Sequence, residues 1–213
     1  MTTIDQMNTN DPHQSITDQT ADEYLDAINS KTPTPGGGAV AGTTGATAAA
    51  IAGMVVHYTL GKKKYAKFES DNAERLAQLT AAQSEFLSLA DADAAGYGKL
   101  NELWSLPETD PKRKAGWDEA VSGAITPPTA MLALCVELIR VVHDLTASTN
   151  RQLRSDLAIA AITFKAAAHS AACNIRINIP LLPTTSRADA ESSMNRSLAI
   201  IDELHDFTVD DCR

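Results

Sequence analysis

The chain has 213 residues, is 44% hydrophobic and 21% charged, and carries a formal net charge of −9. That length makes one domain, or two at most, and suffices to bury a sizeable core. The acidic balance, with no basic stripe, argues against nucleic acid as a partner, and three widely spaced cysteines, Cys135, Cys173 and Cys212, form neither a disulfide framework nor a metal-binding pattern.

Residues 1–19 are polar and lack the apolar run of a signal peptide. They are expected to be a flexible N-terminal segment ahead of one helical domain over residues 20–213. Thr20 and Glu23 have the spacing of a capping box. They open a short helix that should end near Ser30, with Tyr24, Leu25 and Ile28 inward. The stretch KTPTPGGG follows over residues 31–38. Pro33 and Pro35 hold Thr32 and Thr34 extended, and Gly36, Gly37 and Gly38 let another group approach the backbone closely.

From Gly38 to about Leu60 the spacing predicts a helix. Gly38, Gly42, Gly45, Ala49, Ala52 and Val56 recur at steps of three and four and make a stripe of small residues. So Gly-rich a helix is weak alone, so it is expected at the centre, packed on several sides. The glycine turn at its start reads two ways. It is a tight turn, or it is a cradle where free helix N–H groups meet an anion or ligand. It is not a Walker loop, because no G-x-x-x-x-G-K-[ST] is present. Thr43, Thr44, Thr47 and His57 argue against a membrane span here.

Gly61 reads as a helix stop, and Lys62, Lys63 and Lys64 make a dense basic cluster. A long helix is predicted over about 65–106, with an apolar stripe of Phe86, Ala90, Tyr97, Leu100 and Trp104. Asp93 lies on that stripe. A core-facing carboxylate is costly unless paired, so Asp93 is either functional or pairs with a neighbouring helix. The next helix, to about Thr146, buries Ile125, Leu132, Cys135, Val136, Ile139 and Val142, with a kink or break expected at Pro127 and Pro128. Cys135 and Cys173 sit in apolar sequence and are expected buried, in keeping with a cytoplasmic location.

Ser155 and Asp156 open a helix expected to reach about Cys173, with Thr163, Ser170 and Asn174 on a small, polar face. An aspartate in a first turn complements the helix dipole, and that can be its whole role. Asn174-Ile-Arg-Ile-Asn178 alternates with the period of a strand. It is expected to be extended, with Asn174, Arg176 and Asn178 on one side. A last helix over about 186–207 turns Met194, Leu198, Ile201 and Leu204 inward. The sum is an all-α, single-domain bundle of about six helices, three of them long, around the Gly/Ala-rich central helix.

TPTPGGG, then LGKKKY, Asp91-Ala-Asp93-Ala, Ser155-Asp156 and Asn174-Ile-Arg176-Ile-Asn178 occur in an order that resembles the cyclodeaminase/cyclohydrolase family of folate enzymes. The likeness spans about Ala21 to Asp206. The resemblance implies a methenyltetrahydrofolate cyclohydrolase, with formiminotetrahydrofolate cyclodeaminase as one alternative and a non-catalytic helical binding module as another. It implies a tetrahydrofolate derivative as substrate, no cofactor beyond that carrier, no metal, no membrane partner and a homodimer. Asp156 matches the aspartate that the family uses for proton transfer, and Asp93 is the second candidate carboxylate. Thr34, Pro35, Gly36, Gly37 and Gly38 would then line the substrate cleft. Lys62 and Lys63 would offset folate's anionic tail, although a solvated helix end explains them equally. Arg176 would hold a folate carboxylate or orient an aspartate, Asn178 would hydrogen-bond the pterin edge, and Asn174 would bind substrate beside them. His57 stands where the family often has asparagine, and Leu157-Ala158 where it often has Ala-Gly.

Overall fold

Thr20 caps the first helix as its spacing predicts. Its hydroxyl accepts from the Glu23 N–H at 3.3 Å while the Glu23 carboxylate accepts from the Thr20 N–H at 2.7 Å. The computed structural model describes residues 15–213, and the elements that follow are α1 (Ala21–Ile28), α2 (Gly37–His57), α3 (Glu69–Trp104), α4 (Pro111–Ser148), α5 (Arg154–Asn178) and α6 (Thr184–Asp211). Among the described residues there is no strand. Most of the expected N-terminal segment, residues 1–14, lies outside them. Its last part is not loose: Ser15 and Ile16 donate to the Asp91 carboxylate on α3 and hold a 3-10 turn, Ile16–Asp18, against that helix.

Helices α2, α3, α4 and α5 pack in a ring, each on the next, and α6 lies across α4 and α5. The small-residue stripe of α2 explains how tightly the ring closes. A Cβ on Gly45 would meet the Phe86 ring at 2.5 Å, and one on Gly42 would meet Ala90 at 2.7 Å. Without those side chains α3 comes in at backbone distance, and Phe86 fills the centre beside Phe164, with ring centroids 6.3 Å apart. By length and composition α2 and α4 could each cross a membrane; in this bundle 61% of the apolar stretch of α2 is buried. Helix α2 ends at His57, and Gly61 takes the left-handed backbone, φ 75°, that starts the lysine turn.

Four expectations are corrected. Of the kink or break expected at Pro127 and Pro128, the break is absent, and α4 is helical throughout. A proline removes the hydrogen bond to the carbonyl four residues earlier, which frees Gly123 O and Ala124 O. Both find new neighbours. The Ala124 carbonyl accepts from Asn178 Nδ2 of α5 at 3.1 Å. The Gly123 carbonyl lies where a Cβ of Gly96 on α3 would otherwise stand, a close approach of the Cα–H···O kind. The second correction concerns residues 174–178, which are helical and not extended. Ile175 continues the buried line of Phe164, Ala168 and Ala171, so burial at helical spacing overrides the short alternation. Third, Tyr97 and Trp104 are 41% and 49% exposed, and Leu25 is 61% exposed. Beyond Leu100 the helix leaves the main core, and Trp104 meets Trp117 edge-on beside a small satellite cluster. Fourth, Cys173 is exposed while Cys135 is buried.

Candidate functional site

The glycine turn and Asp93 meet at one end of the ring. The Thr34–Pro35 peptide bond is cis, and both residues are half-buried. Gly36 is extended and caps α2 without a side chain. The N–H of Val40 is bonded to Gly36 O at 3.1 Å. The N–H groups of Gly37, Gly38 and Ala39 come earlier in the helix and have no intrahelical carbonyl to bond. Helix α3 delivers Asp93 to this point, so close that a Cβ on Gly38 would fall inside the carboxylate. A side chain at 38 would have to push the carboxylate aside.

Asp93 is half-buried and has no hydrogen-bond or ion-pair partner among the described residues. Burial alone pushes its pKa up to about 6. A carboxylate tuned this way takes and returns protons near neutrality. Its negative form offsets a cation, and the neighbouring N–H groups offer hydrogen bonds to an oxygen. Tyr97, one turn further along α3, exposes its ring on the same side of that helix. Sequence periodicity had assigned that ring to the core; the only cue to its role is its spacing of four from Asp93.

Helix α5 supplies the third wall. A Cβ on Gly37 would sit 3.5 Å from Asn174 Oδ1, and Asn174 Nδ2 is bonded back to Ser170 O. Asn178 shares that face but is 8% exposed and donates to Ala124 O and Asn174 O. Its amide nitrogen is therefore committed to the helix packing. Because the segment is helical, Arg176 is turned away from Asn174 and Asn178 and is exposed.

The remaining candidates are at the other end. Helices α2 and α5 run antiparallel: the Thr59 hydroxyl accepts from the Asn150 N–H at 3.0 Å, and the Tyr65 hydroxyl accepts from the Arg151 N–H at 3.2 Å. Asp156 is half-buried in the first turn of α5, and Lys62, Lys63 and His57 are exposed beside that end. Eighteen residues of helix separate Asp156 from Asn174, about 27 Å at 1.5 Å per residue. Within one subunit the motif residues thus form two groups. Gly36–Gly38, Asp93 and Asn174 make one; Lys62, Lys63 and Asp156 make the other. Among the described residues no cluster of three or more His, Cys, Asp or Glu side chains is placed to hold a metal ion.

These features define an all-helical protein with a carboxylate site at the start of a buried, glycine-rich helix. The sequence pattern of the formiminotransferase-cyclodeaminase family matches residues 20–196, and the chain belongs to that family. It is 29% identical to the methenyltetrahydrofolate cyclohydrolase of Methylorubrum extorquens over 189 residues, 87% of this chain and 90% of that one. It is 28% identical to the formimidoyltransferase-cyclodeaminase of Sus scrofa over 172 residues, 79% of this chain and 32% of that longer protein. The crystal structure of formiminotetrahydrofolate cyclodeaminase from Thermotoga maritima aligns with a TM-score of 0.85 at 24% identity, over 92% of this chain and 96% of that one. That likeness establishes the shared fold.

Proposed function

We propose that the protein is a methenyltetrahydrofolate cyclohydrolase. Water adds to the amidinium carbon that bridges N5 and N10 of 5,10-methenyltetrahydrofolate, the bond from that carbon to N5 breaks, and 10-formyltetrahydrofolate and a proton are released. The observation that carries the reading is the unpaired Asp93 carboxylate seated against Gly38 at the start of α2. Asp93 takes the proton of the attacking water and returns one to N5 as it leaves. Before attack its negative charge faces the cationic bridge. The N–H groups of Gly37 and Gly38 are placed to hold the developing alkoxide oxygen. Asn174 presents an amide to the pterin edge, and the Tyr97 ring gives the pterin an apolar surface.

This reading favours Asp93 over Asp156 within one subunit, because the glycine turn is beside Asp93. It includes a homodimer acting in the cytoplasm, with no cofactor beyond the tetrahydrofolate carrier. Cyclodeaminase activity is the second reading, favoured by the fold of the Thermotoga maritima protein. There N10 would attack the formimino carbon and ammonia would leave, with the same carboxylate moving the protons. Purified protein with methenyltetrahydrofolate should lower the substrate's near-ultraviolet absorbance faster than the spontaneous rate. No acceleration, together with ammonia release from formiminotetrahydrofolate, would replace the first reading by the second.

A further inference from the structure

Two asparagines one turn apart on α5 are both held by their side-chain nitrogens. Asn174 Nδ2 donates to Ser170 O at 3.0 Å. Asn178 Nδ2 donates to Asn174 O at 3.0 Å and to Ala124 O of α4 at 3.1 Å. A side-chain amide has two N–H hydrogens, so those of Asn178 are both spent. Each of these neighbours is a carbonyl oxygen, which only the nitrogen can face, so chemistry fixes the way each amide is turned. What each side chain has left is its oxygen. Neither Oδ1 accepts a hydrogen bond among the described residues, and neither is sealed from solvent.

The two oxygens stand at the open end of the site. Asn174 is level with the start of α2, where a Cβ on Gly37 would lie 3.5 Å from its Oδ1. Because α5 runs antiparallel to α2, Asn178 is about 6 Å past that start, four residues at 1.5 Å each. In the ring α2 lies between α3 and α5, so a gap between those two helices opens where α2 stops. Asp93 and the exposed Tyr97 border it on α3. A charged Asp93 also only accepts. This end of the site is therefore rich in acceptors, and Asn178 offers it no donor at all.

The hold on Asn178 originates in α4. In a regular helix the N–H of residue 128 bonds to the carbonyl of residue 124, and proline has no N–H to give. The Ala124 carbonyl is left for the Asn178 amide. We propose that buried Pro128 is a positioning residue for ligand recognition. It holds Asn178 so that an oxygen, and no N–H, meets the ligand, and the two asparagines together select a heterocycle with an edge of N–H donors. The inference rests on the folate reading, whose pterin has such an edge in its 2-amino group and N3–H. A ring without the 2-amino donor leaves a fixed acceptor unpaired and binds less well. Pro128 itself touches no substrate and acts only through Asn178.

The test is calorimetric titration of the full chain with tetrahydrofolate and with its analogue carrying a 2-methyl in place of the 2-amino group. The wild type should prefer the amino compound by about tenfold or more. Pro128→Ala returns an N–H that competes for the Ala124 carbonyl. The variant should melt at or above the wild-type temperature, because proline is the poorest residue in a helix interior, and yet lose most of the preference. A proline that served only the helix packing predicts the same melt with the preference intact, and that result overturns the proposal. A second measurement needs no folate. The side-chain N–H signals of Asn178 should exchange slowly with solvent in the wild type and faster in Pro128→Ala. Fast exchange in the wild type also overturns the proposal. Equal binding of the two compounds sinks the proposal and keeps the folate reading, whereas binding of neither sinks both.

Discussion

Asp93 of α3 occupies the space that a side chain at Gly38 of α2 would need. The two positions are one unit: the missing Cβ is what lets a carboxylate reach the first turn of the central helix. Gly38→Ala forces the carboxylate aside, at about 1–3 kcal/mol for overpacking, against a gain of under about 1 kcal/mol in helix propensity. It is expected to lower the melting temperature and turnover together. Gly37→Ala is different, because its Cβ would make ordinary contact with the Asn174 amide, 3.5 Å away. That variant should melt at or above the wild-type temperature and still bind folate more weakly. Thermal melts and folate titrations of both variants check the contrast.

The raised pKa of Asp93 gives a stability profile with a definite sign. Its folded value, about 6, is above the ordinary carboxylate range because burial disfavours the charged form. The associated stability is complete below about pH 4 and is lost as pH rises through about 6. The loss is on the order of 1–3 kcal/mol. Asp93→Asn should therefore match the wild type at pH 4 and be more stable at pH 8. Turnover should move the opposite way: the wild-type rate rises with an apparent pKa near 6, and the variant falls by about 10²-fold or more with no such titration. Melting curves from pH 4 to 8 and a pH–rate profile test both halves.

Much of this was legible in the sequence. The capping box at Thr20, the left-handed Gly61 and the small stripe from Gly38 to Val56 depend on chemistry within a few residues of each position. Other features depend on contacts that no local pattern carries. The alternation of residues 174–178 suggests a strand until Ile175 is seen packed in the core. Pro127 and Pro128 suggest a broken helix until Asn178 and Gly96 are seen beside the freed carbonyls. The two candidate carboxylates could be named from motifs, but their separation could not. It follows from α2 and α5 running antiparallel, which is a property of the ring.

Asn178 repairs the gap that Pro128 leaves in α4. Asn178→Ala removes the donor to the Ala124 carbonyl inside the α4/α5 contact and leaves that oxygen without it. An unsatisfied buried polar group costs about 1–3 kcal/mol, so urea unfolding should show a loss of that size. Gly96→Ala should be at least as damaging, because the clash is with the backbone of Gly123 and not with a side chain that can move. If Asn178→Ala unfolds like the wild type but binds folate poorly, the residue belongs to the ligand and not to the packing.

Asp156 is the second candidate carboxylate, and one variant separates its two readings. It is in the first turn of α5, where a carboxylate is worth about 0.3–1 kcal/mol against the helix dipole. Asp156→Asn should cost no more than that in a melt. Helix α5 puts Asp156 about 27 Å from Asn174, which lines the glycine turn. If Asp156 serves only its own helix end, turnover and folate binding should stay near wild type while the melt shifts. A fall in turnover of about 10²-fold with folate binding little changed would instead place Asp156 in the reaction and count against Asp93 as the sole proton carrier. Steady-state kinetics and a thermal melt on the same variant separate the two outcomes.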